Sequence, residues 1–328
     1  FSKTSCSKAL GVQETIAKYI AKNPKAADKK PFCHQYWGET ADLKSKRIYS
    51  RCVTYHGYLS GINHHLITGI NPQNLTKEFF STGATPKEII KVSDGLMVAR
   101  GDLAIELSME KLPYYQKLIL KKAMEYEKTS IVATDFLLSM EDNNRPARSE
   151  VSDIYNAVMD RCDAILLSGE TTIGKHPIEV VETLTKTLIS AEEDFDYQAN
   201  LDEMLHNFKN DITSNIAYSV VESSMRLKAS AIITNTNSGY TAIKVSHYKP
   251  ICPILGLSPI LETTRLLTIN YGVVPLISTE CKSTDTIVNM CTKKAISYFN
   301  LEGGNIVIIT GGFPISNKIT NFMKIEVI

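Results

Sequence analysis

Three short segments each end an apolar run in a cluster able to handle charge: Val98–Asp102 (VARGD), Val132–Asp135 (VATD) and Leu167–Thr171 (LSGET). In the first, Asp102 is a hard oxygen ligand for a divalent cation, and the amides of Gly101 and Asp102 are expected to be free to meet an anion. In the second, Thr134 supplies a hydroxyl donor. The third presents Ser168, Glu170 and Thr171 around Gly169. One carboxylate, two hydroxyls and an anion-binding turn suit Mg²⁺ chemistry on a phosphorylated carboxylic acid. Any one cluster alone reads more simply as a helix cap; three in register argue for a shared site. Arg100-Gly101-Asp102 is a poor cell-adhesion tripeptide, because it terminates an apolar strand.

A fourth cluster lies further along. Thr234, Thr236, Asn237, Ser238, Gly239 and Thr241 follow a β-branched run and open a helical stretch, which makes a hydroxyl- and amide-rich anion site. A plain Asn/Ser/Gly loop with a helix cap accounts for it equally well. Gly311-Gly312 also ends a strand, with Lys318 the only charge near it.

These clusters need elements to hold them, and the spacing supplies them. From about Asp94 onward, short β-branched runs alternate with amphipathic stretches, the mark of parallel βα units. Strands are expected at Gly95–Ala99, Ile131–Thr134 and Ala164–Leu167. Leu112, Tyr115, Leu118, Ile119, Ala123 and Tyr126 mark one helix face. Ser149 is placed as the N-cap of a helix with Ile154, Ala157 and Val158 inward. Pro177 starts another, with Ile178, Val181, Leu184 and Leu188 as its stripe. Periodicity is lost in the acidic stretch 191–200, which sets the domain boundary. Beyond it a helix over 212–227 leads to strands at 231–234 and near Ile254, Val274, Ile306–Ile309 and Ile325, a second α/β unit.

Residues 1–82 resolve poorly: a helix over Leu10–Lys22, then loops around Pro24, Pro31 and Pro72. The region Cys33–Leu66 concentrates His and Cys without usable ligand spacing. His64-His65 could ligate a metal, but adjacent side chains point apart on a regular element, and a metal-free pair is the simpler reading. The chain opens on Phe1 rather than Met, as a piece lacking its natural start would. Residues 1–50 carry ten Lys/Arg against four Asp/Glu, while the whole 328-residue chain has a net charge of only +1. A basic end on a mildly acidic body suggests a tail or an incomplete first domain, and faintly a transit peptide. Seven cysteines with no Cys-x-x-Cys pair point to reduced thiols rather than a disulfide framework or zinc ribbon. No apolar run approaches the ~18 residues of a membrane span.

The runs SDGLMVARGDLAIEL, IVATDFLLSM, RPARSEVSDIYNAVMD and DAILLSGETTIGKHPIE, in that order, resemble pyruvate kinase. The resemblance extends over about Thr85–Ile328. It includes ITNTNSGYTA, similar to the family's effector loop, and IVIITGGFPISNKITNFMKIEVI, similar to its last strand pair. It implies an α/β fold: an incomplete (β/α)₈ barrel with strands 6–8 recognisable, followed by a three-layer α/β C-terminal domain. The expected domains are residues 1–82 (unassigned, the degenerate front of the barrel), 83–195 (the later barrel) and 196–328 (effector and oligomerisation).

The resemblance also implies roles. Asp102 would coordinate Mg²⁺, with K⁺ as the second cofactor. Gly101, Asp102 and Thr134 would hold phosphoenolpyruvate, with Thr134, Ser168 and Glu170 as the catalytic set, the last two relaying a proton. Thr236, Asn237, Ser238, Gly239 and Thr241 would bind a sugar-phosphate effector. The reaction would be phosphoenolpyruvate plus ADP to pyruvate plus ATP, in a cytoplasmic homotetramer with no nucleic-acid or membrane partner. The sequence departs from the family pattern at Asp135 (for Gln), Ile173 (for Lys) and Tyr240 (for a basic residue). The family's earlier arginines and Lys-x-Glu are not visible; Lys77-Glu78 lies closest to the latter, and an exposed charge is its simpler reading. The alternatives are a catalytically inactive relative serving as a binding or assembly module, and an unrelated Mg²⁺-dependent enzyme acting on phosphoenolpyruvate.

Overall fold

The computed structural model describes residues 90, 93–206, 210–280, 283–313 and 319–328. The expectations for Leu10–Lys22, His64-His65, Lys77-Glu78 and Lys318 lie outside the described residues. The chain divides between Glu193 and Asp194 into two compact units.

The first unit contributes three parallel strands in the order β1 (Gly95–Ala99), β2 (Thr129–Ala133), β3 (Ala164–Leu166). Val98 pairs with Val132, and Ala133 with Leu166. Successive strand residues point to opposite faces, and here both faces are covered. Leu96, Val98, Val132 and Ile165 join Ile119, Ala123, Ile154, Val181 and Leu184 in one large apolar cluster under the helices. Met97, Ala99, Ile131, Ala133 and Leu166 meet on the opposite face. A parallel sheet buried on both sides is what a barrel wall requires.

The connecting helices are α1 (Arg100–Glu106), α2 (Leu112–Glu125), α3 (Arg148–Met159), the single turn α4 (Gly169–Thr172) and α5 (Pro177–Glu193). Two expectations change. The buried residues of α2 are Gln116, Ile119, Leu120 and Ala123, so its core face is turned from the one read off Tyr115 and Leu118. Gln116 is tolerated there because its amide donates to Asp160 at 3.2 Å. Ser149 is not the cap of α3: the helix begins one residue earlier. The Glu150 carboxylate instead accepts from the Ala147 amide at 2.8 Å and from the amide and hydroxyl of Ser139. Where periodicity falters, α5 runs on to Glu193, and a further helix, α6 (Tyr197–His206), opens the second unit.

The second unit is a five-stranded sheet in the order β6-β5-β4-β7-β8. Its strands are β4 (Ala231–Asn235), β5 (Ile254–Ser258), β6 (Val273–Ile277), β7 (Ile306–Gly311) and β8 (Phe322–Val327). All pairings are parallel except the antiparallel β7–β8 edge. Helix α10 (Thr284–Phe299) lays Ile287, Cys291 and Ala295 against Ile233, Leu255, Leu257, Val307 and Ile309. By alternation Ile232, Ile254 and Ile308 face the other way, where α7 (Ile212–Arg226) and α8 (Tyr240–His247) cover the sheet; α9 (Leu261–Leu267) follows β5. The result is three layers. Cys162, Cys252 and Cys291 are buried thiols outside any disulfide, and burial pushes the Cys252 thiol up to about 11. Among the described residues no helix is long and apolar enough to cross a membrane.

Candidate functional site

The three sequence clusters sit at the C-terminal ends of three neighbouring parallel strands, the position where barrel folds place ligands. β1 passes directly into α1, so Arg100, Gly101 and Asp102 form the first turn of that helix. β2 ends at Ala133 and the chain reverses through Thr134 (φ 75°) and Asp135 (φ 55°). Left-handed backbone at a β-branched residue is uncommon and costs about 1–3 kcal/mol unless its surroundings enforce it.

The surroundings do. The Gly101 amide donates to Thr134 Oγ1 at 2.9 Å. The Arg100 guanidinium donates from Nε to the Thr134 carbonyl at 3.1 Å and again from Nη2. Its Nη1 pairs with Asp153 of α3, and the guanidinium lies 4.0 Å from the centre of the Phe136 ring. The ends of β1 and β2 are therefore stitched together. One expectation changes: the Gly101 amide is engaged by Thr134 rather than left free. Asp102 is exposed and makes no hydrogen bond or ion pair among the described residues.

At the end of β3, Ser168 leads into α4. Glu170 is only 1% exposed. A buried carboxylate needs donors, and it has them: the Leu137 amide at 3.2 Å, the Ser168 amide at 2.7 Å and, more weakly, the Ser168 hydroxyl at 3.4 Å. Glu170 thus ties the β3 end to the segment after β2. Glu141 approaches the same turn: a Cβ added at Gly169 would fall 1.8 Å from Glu141 Oε1. Burial raises the Glu141 carboxyl above the ordinary carboxylate range, reinforced by the negative charges of Glu170, Asp142 and Asp135. Asp102, Thr134, Ser168 and Glu170 are accordingly brought to one rim. The sequence reading missed Arg100, Asp153, Phe136 and Glu141. An Arg wedged between five strand residues and a glycine was the available signal for the first.

The fourth cluster opens α8 as one turn, with Gly239 at φ 84° in the left-handed conformation that glycine adopts without strain. Its threonine hydroxyls serve the fold. Thr236 Oγ1 accepts from the Gly239 amide at 3.0 Å, and Thr241 Oγ1 meets Thr320 Oγ1 at 2.7 Å. Asn237 anchors α9 by accepting at its carbonyl from Thr263 Oγ1 at 2.7 Å. Ser238 and Tyr240 are exposed. No group of three or more His, Cys, Asp or Glu side chains among the described residues is arranged to hold a metal.

Residues 78–181 match the family model for the pyruvate kinase barrel domain, and residues 214–326 match that for the pyruvate kinase alpha/beta domain. Over these two segments the chain belongs to the pyruvate kinase family. The pyruvate kinase of Clostridium acetobutylicum is 40% identical over 241 residues, 73% of this chain and 51% of that protein. That of Staphylococcus aureus is 38% identical over 242 residues, 74% of this chain and 41% of its own length. Among solved structures, a pyruvate kinase from Cryptosporidium parvum superposes with a TM-score of 0.69 at 32% identity, over 74% of this chain and 48% of that one. The chain spans about half the length, or less, of the pyruvate kinases it matches.

Proposed function

We propose that this chain carries the later half of a pyruvate kinase active site, transferring phosphate from phosphoenolpyruvate to ADP to give pyruvate and ATP. The observation that carries this reading is the joining of three strand ends: Gly101 to Thr134, and Glu170 to both Ser168 and Leu137. The substrate carboxylate enters beside the ends of β1 and β2, where the Thr134 hydroxyl, still accepting from the Gly101 amide, donates its own proton to an incoming oxygen. Asp102, exposed at the same rim and without a partner among the described residues, fits as one ligand of Mg²⁺, because a hard carboxylate is what that cation takes. Mg²⁺, when bound, neutralises phosphoryl charge. K⁺ comes from the family alone, with no described residue assigned to it. Positioning and charge neutralisation are the main requirements of phosphoryl transfer. The enolate then needs a proton, and Ser168 and Glu170 are assigned to the polar chain that relays one to it from solvent.

A second reading, a catalytically inactive relative kept for binding or assembly, is favoured by one observation. Ile173, 76% exposed, stands where the family carries a lysine linked with nucleotide binding. A coupled assay of the full chain with phosphoenolpyruvate, ADP, Mg²⁺ and K⁺ separates the two. The first reading expects turnover that Asp102→Ala lowers by about 10²–10³-fold; absence of turnover from folded protein hands the case to the second. The C-terminal unit is assigned to homo-oligomer assembly in a cytoplasmic enzyme, and the Thr236–Thr241 turn to a phosphate-bearing effector contacting Asn237, Ser238 and the backbone amides.

A further inference from the structure

We propose that Arg100 and Asp153 form a positioning pair that sets Thr134, and through it the orientation of the substrate carboxylate; the inference rests on the phosphoenolpyruvate reading above. Thr134 is gripped at both ends by two consecutive residues. The Arg100 side chain holds its carbonyl with two donors, and the Gly101 amide holds its hydroxyl. A single donor would satisfy a carbonyl; two from one planar fork also fix its direction. That matters because Thr134 sits at φ 75°, outside the strand conformation of the five residues before it. With the peptide turned this way, the hydroxyl faces Gly101.

The guanidinium is itself immobilised. Its side chain is 8% exposed, Phe136 lies beneath it, and its third nitrogen is held by Asp153. Asp153 stands on α3, so the placement of that helix reaches the substrate rim through one ion pair. Arg100 and Asp153 touch neither substrate nor metal in this scheme; both act through Thr134. An ion pair that only stabilised the fold would need no second donor on Thr134.

The test compares the full-length chain with Asp153→Asn, Asp153→Glu and Arg100→Lys. Phosphoenolpyruvate and ADP are varied separately, and the Thr134 methyl resonance is followed by NMR. Asp153→Asn keeps the shape and drops the charge. It is expected to raise KM for phosphoenolpyruvate about ten-fold, the effect of one weakened charge-assisted contact. KM for ADP should stay unchanged, the Thr134 resonance should move, and Asp153→Glu should bring both back part of the way. A fall in kcat alone with the Thr134 resonance in place would overturn the proposal, since that is what loss of folded enzyme looks like. If the wild-type chain turns nothing over, the functional reading fails and the resonance decides: displaced in Asp153→Asn and restored in Asp153→Glu upholds the pair, unmoved refutes it. Should Asp153→Asn not fold, Arg100→Lys serves instead, since lysine keeps the charge but has no fork with which to grip the carbonyl.

Discussion

Carboxylates crowd the rim beside Ser168, and their surroundings give them different tasks. Glu170 is buried but receives two backbone amides, so it is a fixed acceptor that holds a turn. Glu141, pressed against Gly169 with Glu170, Asp142 and Asp135 near it, has its carboxyl raised. A raised folded-state value means that the native state binds this proton more tightly than the unfolded chain does. Any stability from Glu141 is therefore present below the ordinary carboxylate range and lost as pH rises through the raised value. Glu141→Gln should consequently raise the melting temperature at neutral pH, and the gain should vanish as pH falls below about 4, near the unfolded value. Thermal melts of both proteins between acid and neutral pH check this; a gain that persists in acid would assign it to something other than ionisation. Asp102 is the contrasting case, an exposed carboxylate whose replacement should lower the proposed turnover and leave stability nearly untouched. Residue types alone pointed to Asp102, Thr134, Ser168 and Glu170, because their chemistry is written in their side chains. Arg100 and Asp153 are separated by 53 positions, and nothing in their local spacing announces a pair.

The elements themselves were largely legible. The strand over Gly95–Ala99 follows from an unbroken apolar run, which fits a strand buried on both faces. The helix after Asp211 follows from its apolar spacing, and its start is decided by chemistry: the Asp211 carboxylate accepts from the Ser214 amide at 2.9 Å and from the Ser214 hydroxyl at 2.8 Å. Asp211→Ala should cost about 1 kcal/mol, read from the urea midpoint at unchanged slope. The failures have a common cause. At α3, a serine beside a helical run is a good local cap, yet Glu150 wins because Ser139, eleven positions earlier, is folded back to share its carboxylate. At α2, a buried glutamine shifts the core face because Asp160 is there to receive it. In both cases a distant polar partner overrode a local preference.

Each of the two compact units has its own apolar interior, and the one spanning 194–328 has a sheet covered on both faces. Expressed alone, residues 194–328 should fold and unfold in a single cooperative urea transition, the behaviour expected of one core; a gradual, non-cooperative loss of ellipticity would show that this unit does not stand by itself. Alternation of apolar runs and amphipathic helices was enough to specify two α/β units, since hydrophobic period and strand type are local properties of the chain. Side-chain chemistry at strand ends was enough to nominate the rim. Which groups face one another was settled only by folding. Parallel pairing set Ala99 beside Ala133 and Ala133 beside Leu166, so that clusters more than thirty residues apart became neighbours. Folding also took the Gly101 amide and two threonine hydroxyls of the α8 turn for internal bonds, because a donor or acceptor near a partner does not stay free. Partnership depends on distance in space, which local pattern does not encode.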